Sequence, residues 1–288
     1  MIDATLGESG HTYNFLSRFP DLSIIGIDAD SGIQAVARQR LAEFGDRVQF
    51  VHGWSQDFFA AYPAGFNRPN TILADCGISF WHYTCSGKGF SFSVDEKLDM
   101  RLDTTRGIPA SELLARMSEK DIADILYRNA EERYSRRIAR AIVQERQRGA
   151  ITTTAALAEL VKRTVPASYR HGPIHPATKT FQAIRIAVNG ELAGLSDLLE
   201  GALRTLQPGG RLGVISFHSL EDKIVKDFFR KHSKDCICPP QAPSCVCEGR
   251  TVTVLTKKGV TAGEEEIKRN PPSRSARLRV VEKIKEMQ

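Results

Sequence analysis

The sequence predicts an α/β fold with a doubly wound sheet and an inserted all-helical domain. Short apolar runs alternate with amphipathic helical segments over residues 1–75, and the alternation resumes at His175. Residues 104–170 instead have helical periodicity and no strand pattern. We therefore expect an α/β domain made of residues 1–103 and 175–288, with residues 104–174 inserted as a helical domain.

The first predicted strand, residues 1–4, leads into a loop that contains Gly7 and Gly10 and then into an amphipathic helix. Such a loop lets a ligand approach the backbone and points N–H groups at it. The spacing is Gly-x-x-Gly, not the Gly-x-Gly-x-x-Gly of dinucleotide folds, so a pyrophosphate is not specifically indicated. An ordinary strand-to-helix turn explains this loop equally well.

The second predicted strand, residues 22–27, leads directly to Asp28. Doubly wound folds hold a ribose diol with an acidic side chain at the end of this strand, because the carboxylate can accept two hydroxyl protons. The alternative role, a helix N-cap, suits Asp30 or Ser31 better. Asp28 therefore favours a cofactor that contains a nucleoside.

The third and fourth predicted strands are residues 47–52 and 70–75. Ligands of parallel sheets bind at the carboxyl ends of the strands, so we expect the loops after the first four strands to converge on one crevice. Trp54, in the third of these loops, either covers an adenine face or packs in the core.

The rest of the chain is predicted mainly helical. Residues 76–103 are irregular and rich in glycine and aromatic residues, and a long segment of that kind at a crevice is more often functional than idle. Helices are predicted at residues 109–117 and 152–162, and later at 179–189, 191–206 and 219–232. The remaining predicted strands are residues 211–217, 251–256 and 278–281, of which the last two read as a final hairpin.

Composition is typical of a cytoplasmic protein with an anionic partner. The net charge is +6, no run of 18 apolar residues occurs, and the N-terminus has no basic, apolar signal region. Seven arginines against three glutamates lie in residues 128–148, and seven basic residues against one acid lie in residues 268–285. Such patches are expected where a protein meets phosphate backbones, although a solvated helix face is the simpler alternative.

Four cysteines form two Cys-x-Cys units in a proline-containing loop: Cys236, Cys238, Cys245 and Cys247. Four thiolates can complete a tetrahedral site for structural zinc, but the spacing is not that of a Cys-x-x-Cys knuckle. A reduced, metal-free loop is the alternative, and a disulfide is not expected in the cytoplasm.

The run Ser216-Phe-His-Ser-Leu-Glu-Asp222 contains the residue types of a hydrolase triad. Triad partners normally come from separate segments, so a hydrolase is disfavoured. His218 and Ser219 instead are expected to shape the substrate crevice.

Several runs spread over nearly the whole chain resemble the RsmH (MraW) family of S-adenosylmethionine-dependent methyltransferases of small-subunit ribosomal RNA. They are Asp3-Ala-Thr-Leu-Gly, Gly89-Phe-Ser-Phe92, Leu98-Asp-Met-Arg101, Glu131-Glu-Arg133, Arg137-Ile-Ala-Arg140, His175-Pro-Ala-Thr178, Phe181-Gln-Ala-Ile-Arg-Ile186, the run from Ser216 to Asp222, and Ser273-Arg-Ser-Ala276. The resemblance implies a class I methyltransferase (Rossmann-like) fold whose helical insertion recognises the substrate. It implies N4-methylation of a cytidine in the decoding region of 16S ribosomal RNA.

The resemblance also assigns residues. It implies cofactor contacts at Ser9, Gly10, His11, Asp28, Asp75 and His82, with Trp54 near the position of a family aromatic. The other candidates follow from the chemistry and the charge pattern of this chain, not from the resemblance. Candidates for accepting the amine proton are Asp75, Asp99 and Asp103. Candidates for holding the base are Phe80, Trp81, Phe90 and Phe92, each with core packing as an equal alternative. Arg101, Arg136 and Arg137 are the expected RNA contacts.

Two other functions compete with this prediction. A nicotinamide-dependent dehydrogenase would share the crevice and Asp28, but the missing Gly-x-Gly-x-x-Gly argues against it. A non-catalytic ribosome-assembly factor would keep the basic patches and could lose the cofactor loop, which here is largely intact. No membrane partner is expected, and a homodimer is left open.

Overall fold

The computed structural model describes residues 1–236, 238 and 249–286. Its strands are β1 (Ile2–Asp3), β2 (Ile24–Asp28), β3 (Val48–His52), β4 (Thr71–Asp75), β5 (Arg211–Ser216), β6 (Val252–Val254), β7 (Val260–Thr261) and β8 (Arg277–Lys283). Its helices are α1 (Gly10–Arg18), α2 (Ser31–Arg40), α3 (Ser55–Ala60), α4 (Phe80–Thr84), α5 (Ala110–Arg116), α6 (Glu119–Ala130), α7 (Ser135–Arg146), α8 (Thr154–Thr164), α9 (Ala167–Arg170), α10 (Thr178–Asn189), α11 (Glu191–Thr205), α12 (Ser219–His232) and α13 (Glu264–Arg269). None of these helices is long and apolar enough to cross a membrane.

The chain divides into an α/β unit, Met1–Ile78 with Leu192–Gln288, and a helical unit, Ser79–Glu191. The sheet of the α/β unit has the order β3-β2-β1-β4-β5-β8-β6, with β7 also paired to β8. Strands β1 to β5 are parallel, whereas β8 is antiparallel to β5, β6 and β7. This order confirms the predicted doubly wound sheet.

Two separate groups of buried side chains pack helices on the sheet. Leu16 of α1 and Ala37 of α2 lie in one group with Ile24 and Val48. The other group contains Phe59 of α3 and many side chains of α11 and α12. Because the two groups are distinct, the strands are covered on both faces, and this explains their apolar composition.

Local patterns in the sequence correspond to observed helix starts. Asp30 caps α2 by accepting from the Gly32 N–H at 2.8 Å, and Thr153 caps α8. Ser118 caps α6 through the Asp121 N–H at 3.1 Å. The predicted final pair of strands is also present, because β6 and β8 are antiparallel neighbours.

The helical unit begins earlier and ends later than the predicted insertion, residues 104–174. Hydrogen bonds explain both differences, since Asn189 of α10 donates to the Met100 carbonyl at 2.8 Å and accepts from the Leu102 N–H at 2.9 Å. The Leu98 N–H also donates to the Thr152 carbonyl, at 2.9 Å. The irregular segment before residue 104 and helix α10 are thereby tied to the helices of this unit, among which α6 packs against both α7 and α10.

Candidate functional site

Three adjacent parallel strands of the α/β unit end in an aspartate. These are β1 at Asp3, β2 at Asp28 and β4 at Asp75. Strand β1 pairs with β2 on one side and with β4 on the other, so the three residues lie at one edge of the sheet. This is the carboxyl edge, where ligands of doubly wound sheets bind.

Asp28 ties the end of β2 to the glycine-containing loop. Its Oδ2 accepts from the Gly7 N–H at 2.8 Å, and its Oδ1 accepts from the Asp30 N–H at 2.9 Å. A carboxylate can accept about four hydrogen bonds, and at the end of the second strand of a doubly wound sheet it is the group that holds a ribose diol. The helix-capping role belongs to Asp30, one of the two residues that the sequence favoured for it.

The loop between β1 and α1 presents backbone, not side chains. Gly7 and Ser9 have φ values of 52° and 63°, in the left-handed region. The Ser9 side chain is fully buried and its hydroxyl donates to the Glu8 carbonyl at 2.6 Å. Helix α1 begins at Gly10, where an added Cβ would meet nothing within 4 Å. A ligand can therefore approach the first-turn N–H groups, which have no partner inside the helix.

His11 and Asp75 form an ion pair at this edge. The Nε2 atom of His11 lies 3.4 Å from Oδ2 of Asp75. Its hydrogen bond to Asp75 raises the pKa of His11, although burial works in the opposite direction. The other carboxylate oxygen of Asp75, Oδ1, is buried without a hydrogen-bond partner in the described part of the chain. A ligand that donates a hydrogen bond would satisfy this oxygen.

Two threonines that the sequence did not single out hold these aspartates. Thr12 donates to the fully buried Asp3 at 2.7 Å, and burial raises the pKa of Asp3. The Thr5 hydroxyl accepts from the Asp75 N–H at 2.6 Å. In the sequence, Thr5 appears only as part of the run Asp3-Ala-Thr. Asp75 lies 70 residues further along the chain, so no local pattern predicts its contact with Thr5.

Trp54 follows β3 at the same edge and is the N-cap residue of α3. Its side chain is half-buried, and the preceding Gly53 N–H donates to the Asp28 carbonyl at 2.8 Å. This position suits both predicted roles, and the adenine contact stays a prediction.

The predicted aromatic residues lie in the helical unit and differ in exposure. Phe80 is 66% exposed, whereas Phe90 is buried with its ring 5.4 Å from that of His82. Phe92 packs between His175 and Phe181. Trp81 is half-buried beside His82. Phe80 is thus the best placed of the four to meet a base, and Phe90 and Phe92 have packing roles. His82 is itself buried.

Asp99 and Asp103 are engaged in hydrogen bonds within the helical unit. Arg101 donates to both oxygens of Asp99, at 2.7 and 2.9 Å. Burial raises the pKa of Asp99, but the hydrogen bonds from Arg101 outweigh it, and the pKa lies below its usual value. Asp103 accepts twice from Thr105, at 2.6 and 2.9 Å. Both carboxylates are therefore weaker candidates than Asp75 for accepting the amine proton.

The remaining predicted residues lie on helices α7 and α12 and after α12. Arg136 and Arg137 are exposed on α7. His218 forms a capping box with Glu221 at the start of α12, next to the exposed Ser219. Of the predicted metal ligands, Cys245 and Cys247 lie outside the described residues. The described residues contain no group of three or more His, Cys, Asp and Glu side chains able to hold a metal.

S-adenosylmethionine fits the edge formed by Asp28, Asp75 and the start of α1. The Asp28 carboxylate at the end of β2 suits a ribose diol. The first-turn N–H groups beside Gly10 suit a carboxylate. The orphaned Oδ1 of Asp75 suits a hydrogen-bond donor. The strand order and this acidic edge together define a class I methyltransferase that uses S-adenosylmethionine.

Comparison with known proteins identifies the family. The sequence profile of the MraW methylase family matches residues 1–284, and the chain belongs to this family. A curated relative from Treponema denticola, ribosomal RNA small subunit methyltransferase H, is 56% identical over 284 residues, which are 98% of this chain and 90% of the relative. Proteins of the same name from Symbiobacterium thermophilum and Treponema pallidum are 46% and 43% identical over 98% of this chain, and over 90% and 83% of their own lengths.

Proposed function

We propose that the protein transfers the methyl group of S-adenosylmethionine to N4 of a cytidine in the decoding region of 16S ribosomal RNA, on small subunits in the cytoplasm. The observation that carries the proposal is the buried Oδ1 of Asp75, an acceptor without a partner among the described residues, at the cofactor edge of the sheet. The names of the relatives support ribosomal RNA of the small subunit as the substrate. The resemblance described above supports the N4 position.

The chemistry requires positioning and an acceptor for the amine. When bound, S-adenosylmethionine supplies an electrophilic methyl group for in-line displacement, and positioning provides most of the rate enhancement. The cytosine amine is a weak nucleophile because its lone pair is delocalised into the ring. Oδ1 of Asp75 has two acceptor sites, so beside its contact with the cofactor it would accept one amine N–H and favour attack. As the methyl–sulfur bond breaks, S-adenosylhomocysteine would leave, and the amine would lose one proton to the Asp75 carboxylate, which passes it to water. His11 holds the Asp75 carboxylate through its Nε2 atom.

Two further parts of the proposal concern the RNA and the cysteine loop. In the helical unit, exposed Phe80 offers a ring on which a base of the RNA can stack, and Arg136 and Arg137 contact phosphates. The four thiolates at 236, 238, 245 and 247 hold one structural zinc ion, which takes no part in methyl transfer. Elemental analysis of protein purified without chelator tests the zinc site. A zinc content well below half an equivalent per chain would refute it.

The decisive experiment is transfer of labelled methyl groups to small subunits that lack the modification, followed by nucleoside analysis. We expect N4-methylcytidine in the decoding region. Label in another nucleoside would overturn the N4 assignment. Specific binding of subunits without any transfer would favour the assembly-factor hypothesis.

A further inference from the structure

A basic cavity of about 530 Å³ lies in the α/β unit, between the C-terminal half of α12 and strand β6. We call it the α12–β6 cavity. Five cationic side chains line it: Lys226, Arg230, Arg250, Lys257 and Arg279. Its apolar lining includes the buried side chains of Phe229 and Val252. None of these residues belongs to the cofactor edge or to the arginine face of α7.

The positive charge of this cavity is only partly balanced. Three of the cations face aspartates: Arg279 and Asp222 at 2.7 Å, Arg230 and Asp227 at 2.9 Å, and Arg250 and Asp235 at 3.8 Å. Lys226 and Lys257 are exposed, and neither forms a salt bridge with a described carboxylate, although Lys226 is close enough to Asp222 to help lower its pKa. The cavity therefore offers two ammonium groups to an anionic ligand.

The donors are fixed to a rigid frame and spread over separate elements. Lys226 stands on α12, and Lys257 follows β6 in the turn that leads to β7. Arg279 of β8 is 6% exposed and donates two hydrogen bonds to Asp222, so its side chain is fixed in position at one side of the cavity. Exposed Thr253 adds a hydroxyl donor. Separated cationic donors around a cavity wider than one phosphate suit an extended polyanion better than a single small ion.

We propose that the α12–β6 cavity binds the phosphodiester backbone of the ribosomal RNA at a point outside the target nucleotide. The inference rests on the proposed function, because it takes RNA as the substrate. Phosphate contacts of this kind set the register of a protein on nucleic acid without reading its sequence. The cavity would thus anchor the RNA on the α/β unit while another part of the strand enters the cofactor crevice.

The test is a Lys226→Gln/Lys257→Gln variant, which replaces the two lysines of the cavity that form no salt bridge. The matched control is Lys223→Gln/Lys231→Gln, which removes the same charge from exposed lysines of α12 that line a different cavity. Binding of each protein to protein-free 16S ribosomal RNA is measured over a salt series. Each phosphate of single-stranded RNA that a variant no longer neutralises flattens the slope of log K against log salt by about 0.7. We therefore expect a change of about 1.4 in the test variant and none in the control.

Affinity for S-adenosylmethionine and the melting temperature should stay unchanged in both variants. Equal slopes for the test variant, the control and the wild type would overturn the inference while leaving the proposed function intact. A defect seen with assembled subunits but not with protein-free RNA would mean that the cavity contacts a ribosomal protein, and would also overturn it. A wild-type protein that methylates no ribosomal RNA would instead refute the proposed function itself.

Discussion

Asp28 accepts from the Gly7 N–H in the loop and is expected to accept from the cofactor, and Asp28→Ala removes both contacts. Replacing Asp28 with Ala removes the acceptor for the ribose hydroxyls, and we expect S-adenosylmethionine binding to weaken by about 1.5–3 kcal/mol, or roughly 10- to 150-fold. Titration calorimetry measures this directly. Asp21→Ala, in the exposed turn before β2, is the control for loss of charge. Unchanged affinity in Asp28→Ala would remove this residue from the site.

The His11–Asp75 pair predicts a pH-dependent contribution to stability. Its hydrogen bond to Asp75 raises the pKa of His11 in the folded protein above the unfolded value of about 6.5. The pair therefore stabilises the fold fully below pH ~6.5, and the stabilisation is lost as the pH rises through the folded pKa. We expect the destabilisation caused by His11→Gln to be largest at acidic pH and to shrink in alkaline solution.

Urea unfolding of wild type and variant at several pH values measures this difference. His171→Gln, an exposed histidine in the helical unit, serves as the control. A free-energy difference for His11→Gln that stays constant from mildly acidic to alkaline pH would contradict an ionic role for the pair.

Individual residues also show where the sequence was informative. Asp28 and Asp75 could be placed because a strand end is a local feature and parallel strands bring their ends together. The burial of Ser9 and the pairing of Asp99 with Arg101 could not be predicted, because they depend on side-chain conformations that no local pattern encodes. His82 was assigned by resemblance alone.

At the scale of elements, the turn at Gly89 is held by backbone that leaves no room for a side chain. Gly89 has a φ of 75°, and an added Cβ would lie 2.3 Å from the Lys97 carbonyl oxygen. Gly107 has a similar φ of 66° but open space around it. We expect Gly107→Ala to cost about 1 kcal/mol from backbone strain and Gly89→Ala about 2–4 kcal/mol, because a clash adds to the strain.

Chemical denaturation followed by circular dichroism compares the two glycine variants under identical conditions. Equal losses of stability in Gly89→Ala and Gly107→Ala would contradict the prediction. They would show that the backbone at Lys97 moves away from an added methyl group at Gly89 without cost.

The second prediction at this scale concerns the exposed arginines of α7 and their contacts with RNA phosphates. Replacing Arg136 and Arg137 with Gln should weaken binding to small subunits and flatten its salt dependence, by about one unit of slope for each phosphate that the variant no longer binds. Arg18 and Arg204, exposed in the α/β unit, provide a control pair with the same loss of charge. An unaltered slope would mean that this face of α7 is merely solvated.

Helices and strands were predictable to the extent that their signals are local. The cap at Asp30 and the alternation of strands with helices are of this kind. The extent of the helical unit was not predictable, because Asn189 joins it to Met100 and Leu102 across a long stretch of sequence. Strand β7 was missed because two exposed residues carry no pattern.

At the scale of the whole molecule, ligand binding distinguishes the two cofactor classes. A ligand that binds only the folded state stabilises it, by about 2.7 kcal/mol at a concentration of about 100 Kd. We expect S-adenosylmethionine to raise the melting temperature and NADH to leave it unchanged. The Asp28→Ala variant should lose most of the shift. A rise with NADH alone would revive the dehydrogenase hypothesis.

The position of β8 in the sheet determines when the sheet can be completed during synthesis on a ribosome. The last strand among the described residues lies between β5 and β6, and β7 also pairs with β8. The 22 residues 255–276 separate β6 from β8, so at about 5–20 residues per second the nascent chain holds open strand edges for about 1–4 seconds. Unpaired edges attract other chains. A translation product halted before Arg277 therefore leaves β5, β6 and β7 without their shared neighbour, and the cell has to shield or degrade it.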